Sequence, residues 1–70
     1  MFDYELWYEG NCHAEEYGFE DFDEAIEDAW MTIQMYMEWW EDDCELENFI
    51  IKMDGSEYNG VEVKELCKEI

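Results

Sequence analysis

Proline is absent from this chain of 70 residues, and glycine occurs only four times. That scarcity of breakers argues against a disordered or linker-like segment. Basic residues are nearly missing as well: three against 22 acidic ones, for a formal net charge of −19. Binding nucleic acid directly requires clustered Lys and Arg to neutralise phosphates, so the balance argues against that function class. Adhesion to an anionic membrane is disfavoured for the same reason. No apolar run reaches the 18 or so residues of a membrane-spanning helix. The opening MFDYELWYEG is acidic and strand-like, unlike the basic-then-apolar start of a signal peptide. Cys12, Cys44 and Cys67 are odd in number and far apart, which is no disulfide framework. Reduced thiols in a cytoplasm are expected.

Large apolar side chains are plentiful. Hydrophobic residues make up 49 % and aromatic ones 19 % of the chain, far above what a charge-rich disordered chain carries. One small domain spanning residues 1–70 is expected. Its core must be small, and much of its surface must stay wet. Aromatic rings, each burying on the order of 150–250 Å², are the main means of offsetting chain entropy.

Residues 2–9 alternate, with Phe2, Tyr4, Leu6 and Tyr8 on one face and Asp3, Glu5, Trp7 and Glu9 on the other. This period of two predicts a strand. Gly10–Asn11 predicts a turn, and residues 12–17 a second strand. The strongest pattern predicts a helix from Phe22 to Trp40, capped by Asp21 with Glu24 three residues later. At 100° per residue, Phe22, Ala25, Ile26, Ala29, Trp30, Ile33, Tyr36, Met37 and Trp40 form one apolar stripe. Residues 46–53 read as a buried strand, and Asp54–Gly55 as a turn. Glu57–Tyr58 begins a short returning strand, and Asn59–Gly60 breaks the chain. Val63, Leu66, Cys67 and Ile70 recur at helical spacing. The expected architecture is α+β, in the order β-β-α-β-(β)-α: a small antiparallel sheet of three to four strands, one long helix across it and a short C-terminal helix.

Enzyme chemistry finds little support. His13 is the one histidine, and adjacent strand residues point to opposite faces, so Cys12 and His13 make a poor dyad. Cys12, His13, Cys44 and Cys67 lack the paired spacing of a zinc site; a metal- or thiol-linked regulator built on them is a third-ranked reading. Asp54–Glu65 has the length of a calcium loop, but Tyr58 and Asn59 occupy positions that need an oxygen ligand and a glycine. No catalytic residue, metal or cofactor is expected.

The acidity itself is the signal. Residues 1–51 hold 17 acids and no Lys or Arg; the last 19 hold five acids and all three Lys. Asp23, Glu24, Glu27 and Asp28 form a compact patch on the long helix, because carboxylates three or four apart lie about 5–6 Å from one another. Glu38, Glu41, Asp42 and Asp43 extend it at the helix C-terminus, where the dipole already disfavours anions. Such violations of local consistency concentrate at functional sites. Solubility needs a net charge of only about 2–8; adaptation to high salt is the other bland explanation. Met31, Met35 and Trp39 on the same side of the helix, and Trp7 on the acidic face of the first strand, supply apolar anchors. A second core layer under the C-terminal helix, or a homodimer seam, would also account for them.

Size, charge and this acid-plus-aromatic surface resemble the small phage-encoded DNA-mimic inhibitors of the anti-CRISPR and anti-restriction type. The resemblance is one of composition over the whole chain; FEDFDEAIEDAW is a generic strand-end, N-cap and helix pattern. It implies a non-enzymatic inhibitor that occupies the DNA-binding or PAM-reading surface of a Cas effector subunit in the bacterial cytoplasm. It also implies Asp23, Glu24, Glu27, Asp28, Glu38, Glu41, Asp42 and Asp43 as phosphate stand-ins. Glu5, Glu9, Glu15 and Glu16, with Trp7, form a second tier. The alternative is an acidic module for another basic partner: a restriction enzyme, a histone-like protein or RNA polymerase. The protein would act as a monomer or homodimer, with no direct contact to nucleic acid or membrane.

Overall fold

A computed structural model describes residues 1–70, except for the side chain of Asp42. The element order is β1 (Phe2–Tyr8), β2 (Asn11–Phe19), α1 (Phe22–Trp40), two 3₁₀ turns (Glu41–Asp43 and Leu46–Asn48), β3 (Phe49–Met53), β4 (Ser56–Asn59) and α2 (Gly60–Lys68). The four strands form one sheet in the order β2-β1-β3-β4, with every neighbouring pair antiparallel. The α+β class and the β-β-α-β-β-α order read from the sequence are those of the structure.

The alternation in β1 sets the layers. Tyr4, Leu6 and Tyr8 are buried, and Phe49, Ile51 and Met53 of β3 are buried beside them. Ala25, Ile26, Ala29 and Ile33 of α1 and Val63 of α2 close the same core. Both helices therefore cover one face of the sheet. The other face, carrying Asp3, Glu5, Trp7, Ile50 and Lys52, stays uncovered and only partly shielded. Phe2, Phe22 and Tyr58 extend the core at one end through edge-to-face ring contacts, a favoured geometry for aromatic pairs.

Local chemistry explains the boundaries. The Asp21 side chain accepts from the Glu24 amide at 2.8 Å, capping α1. The β1–β2 turn is centred on Glu9 and Gly10 (φ 49° and 82°), one residue earlier than expected. A two-residue hairpin turn of this hand needs positive φ at both central positions, so Asn11 already belongs to β2. Asp54 and Gly55 repeat the geometry. The strand expected over 46–53 begins at Phe49, because Leu46–Asn48 winds into a 3₁₀ turn. Asn59–Gly60 does not break the chain. Asn59 caps α2, its side chain and that of Glu62 each accepting from the other's amide, a capping box. Gly60 is required for close approach: a Cβ there would lie 2.2 Å from the Leu46 carbonyl oxygen.

One polar anchor ties α1 to the sheet. The Tyr4 hydroxyl donates to Asp28 Oδ1 at 2.5 Å and lies 2.8 Å from Thr32 Oγ1. Burial, and next the Asp28 carboxylate, push the Tyr4 hydroxyl well above its ordinary pKa of 10. Tyr4→Phe is expected to destabilise by about 2 kcal/mol, the usual worth of a hydrogen bond to a charged group. The pH dependence carries the same signature. Above pH 10 the unfolded chain releases the Tyr4 proton and the folded chain keeps it, so stability falls with rising pH. Urea titrations across the alkaline range check both points, and the Tyr4→Phe curve is the flatter one.

Candidate functional site

Carboxylates occur on every element of the fold except β3, so acidity by itself singles out no face. The bases do. Lys52 lies on the uncovered sheet face, and Lys64 and Lys68 lie on α2. The outer side of α1 holds no base at all. Glu24, Glu27, Met31 and Met35 follow one another at spacings of three or four, Glu38 and Trp39 lie three and four beyond Met35, and all are exposed, which places them on one ridge. Asp23 flanks it, and Glu41 and Asp43 follow in the 3₁₀ turn beyond the end of the helix, both exposed. At about 1.5 Å per residue the helix is about 28 Å long, against a longest molecular dimension of 33 Å. The ridge therefore runs along most of the helix, about 22 Å from Glu24 to Trp39.

Its centre is apolar. Met31, Met35 and Trp39 are 60 %, 45 % and 64 % exposed. These values overturn the second-core-layer explanation: α2 packs against α1 from the β3–β4 side and leaves all three in solvent. Trp39 is held edge-on by Tyr36, with ring centroids 5.1 Å apart. The ridge is thus acidic at both ends and sulfur- and indole-rich between them.

The remaining expected residues divide. Asp28 is half-buried and already serves Tyr4, so it is the least available carboxylate of the first patch. Asp42 lies outside the described residues. Glu5, Trp7 and Glu15 do not join the ridge; they sit on the uncovered sheet face, where Glu5 pairs with Glu15 across β2 and with Lys52 across β3. There Lys52 Nζ stands 3.9 Å from the Trp7 ring centroid, and Trp7 Nε1 donates to Glu5 Oε1 at 2.9 Å. Glu16 lies opposite Tyr4 on the edge strand β2, and Glu9 in the β1–β2 turn. The second tier therefore spans two faces.

Cys12 and His13 do separate. A register shift between Leu6 and Trp7 leaves His13 as the extra residue of a bulge. Its ring stands 4.9 Å from that of Trp40, and its carbonyl accepts from the Tyr36 hydroxyl at 3.0 Å. Cys12 faces the other way, toward Glu5 and Glu15. Those three side chains are the potential metal ligands that converge among the described residues, a different set from the four weighed in the sequence. Partial desolvation, and then the Glu5 and Glu15 carboxylates, push the Cys12 thiol up, which makes it a poor nucleophile. The bulge is a tertiary feature that alternation along β2 does not reveal.

The chain matches no family model, no curated protein and no solved structure. No helix is long and apolar enough to cross a membrane.

Electrostatic strain is general. Among the described residues one ion pair forms, Lys68 with Glu65 at 3.8 Å, and both side chains are exposed. Such a pair contributes little, and with three Lys against 22 acids most of the negative charge is uncompensated. Melting is expected to shift upward by about 5 °C or more between about 0.01 and 0.1 M salt, where the Debye length falls from about 30 to about 10 Å. Calorimetry across that range checks this; a flat melting temperature would show that self-repulsion is unimportant.

Proposed function

We propose that this protein is a non-enzymatic DNA mimic that blocks a basic nucleic-acid-binding partner, a CRISPR–Cas effector in the first instance. The observation that carries the reading is the α1 ridge: Glu24, Glu27, Glu38 and Glu41 framing the exposed Met31, Met35 and Trp39, on a surface without a base. Dispersed carboxylates attract Lys and Arg that otherwise hold phosphates, and that attraction raises the association rate and weakens with salt. Charge alone gives short residence. Desolvated aromatic and thioether side chains at the centre of a contact supply it. A homodimer seam along α1 is disfavoured, because it would set two like-charged ridges against each other.

The test is competition. Purified Cas effector complexes are incubated with the protein, and target-DNA binding is measured at low and moderate salt. The expected result is loss of DNA binding by one effector, with the inhibition weakening as salt is raised. Trp39→Ala should abolish most of the inhibition and leave the melting temperature unchanged, since surface truncations stay within about 0.5 kcal/mol. If no effector forms a salt-sensitive complex, the Cas assignment falls. Capture from a bacterial lysate then distinguishes a restriction enzyme, a histone-like protein and RNA polymerase as the basic partner.

A further inference from the structure

We propose that a recess at the C-terminal end of α1 is a binding site for a guanidinium group, an arginine side chain of the basic partner. The recess measures about 360 Å³ and is lined by Tyr8, Glu9, Asn11, His13, Trp40 and Asp43, large enough to admit a side-chain head group. Three features converge there. First, its walls are aromatic: Trp40, stacked on Phe49 on one side, meets Tyr8 and His13 edge-to-face at centroid distances of 5.2 Å and 4.9 Å. Aromatic faces attract cations, and the planar, weakly hydrated guanidinium stacks on them best. Second, Glu9 and Asp43 are exposed carboxylates at its rim. Third, α1 ends at Trp40 with no basic residue in its last turn, so the negative end of the helix dipole has no cation to meet it.

The same molecule shows what such a corner does when a cation is within reach. On the uncovered sheet face Lys52 lies over Trp7, beside the Glu5 that holds the indole N–H. The Trp40 recess repeats the combination of indole and carboxylate, but its walls contain no Lys or Arg. It adjoins the ridge through Asp43, so a partner seated on α1 can reach it. The partner's role as the source of the arginine rests on the proposed function; the recess itself rests on its own geometry.

The probe is Nα-acetyl-arginine N-methylamide, titrated into the full chain and followed by two-dimensional NMR. Saturable shifts centred on Asn11, His13 and the Trp40 indole are expected. The neutral citrulline analogue should produce none, and the lysine analogue weaker ones. Glu9→Gln with Asp43→Asn should weaken binding about fivefold while leaving the melting temperature at or above that of the parent. Shifts spread evenly over the acidic surface, an equal response to citrulline, or indifference to the double variant would each overturn the site. If the amide fails to bind while an effector is still inhibited in a salt-sensitive way, the recess falls and the proposed function stands. If the amide binds as expected and no effector is inhibited, the recess stands and the proposed function falls.

Discussion

The variant Glu27→Gln/Glu38→Gln/Glu41→Gln is expected to melt about 5–10 °C above the parent while losing roughly thirtyfold or more in affinity for the effector it blocks. The two effects have opposite signs for one physical reason. Glu27 lies a helical turn from Asp23 and Glu24, and Glu38 a turn from Glu41, so each sits among like charges. Glu38 and Glu41 also stand at the negative end of the α1 dipole. Relieving these contacts is worth a few tenths of a kcal/mol each, about 1–2 in total. The same carboxylates, opposed to Lys and Arg across an interface, contribute about 0.5–1 kcal/mol apiece and most of the salt dependence. Asp23→Asn/Glu24→Gln is the informative contrast. These two acids sit in the first turn, where the dipole favours them, so this variant is expected to lose stability as well as affinity. Calorimetry paired with the DNA-competition assay reads both quantities. A triple variant that melts lower than the parent would show that the ridge carboxylates stabilise the fold.

Phe49→Ala is expected to leave the protein largely unfolded at 37 °C, through a loss of about 3–5 kcal/mol. Phe49 is fully buried, stacks parallel to Trp40 at 5.8 Å and tilts against Tyr8 at 4.7 Å. It thus joins the first residue of β3, the last residues of α1 and the end of β1. Removing the ring opens a cavity between three elements that the remaining small core cannot close. A domain this size has a total stability of only about 4–10 kcal/mol, already reduced by self-repulsion. Met35→Ala removes a side chain of similar length from the α1 ridge and is expected to change stability by less than about 0.5 kcal/mol. Chemical denaturation of the two variants side by side separates core from contact surface. Similar losses would mean that the outer face of α1 is covered in solution.

The α1 boundaries and the inward-facing residues of β1 were legible because each rests on short-range physics. Period, capping residue and dipole preference act within a few positions of one another, so Asp21, Phe22 and Trp40 mark their own places. The short C-terminal helix was legible for the same reason, from the spacing of Val63, Leu66 and Cys67. Where a choice depended on close contact between distant segments, local reading failed. Asn59–Gly60 reads as a turn signal in isolation; the helix start there rests on the Asn59–Glu62 capping box, and only the packing of the Leu46 carbonyl against residue 60 shows why that residue is glycine. The bulge that turns His13 toward Trp40 depends on register across β1, not on β2 itself.

The candidate site divides along the same line. The chain by itself determined that its charge is overwhelmingly negative, that residues 1–51 carry no base, and that acids and large apolar groups share one side of a helix. These are properties of order and spacing, and folding cannot alter them. Only tertiary structure decided that α2 packs on the β3–β4 side and leaves Met31, Met35 and Trp39 in solvent. It also set Glu5 and Glu15 apart from the ridge beside Lys52, tied Asp28 to Tyr4, and gathered Tyr8, His13 and Trp40 around one corner. The physical reason is that exposure is a property of neighbours: whether a side chain meets water or another element is settled by where the other elements pack.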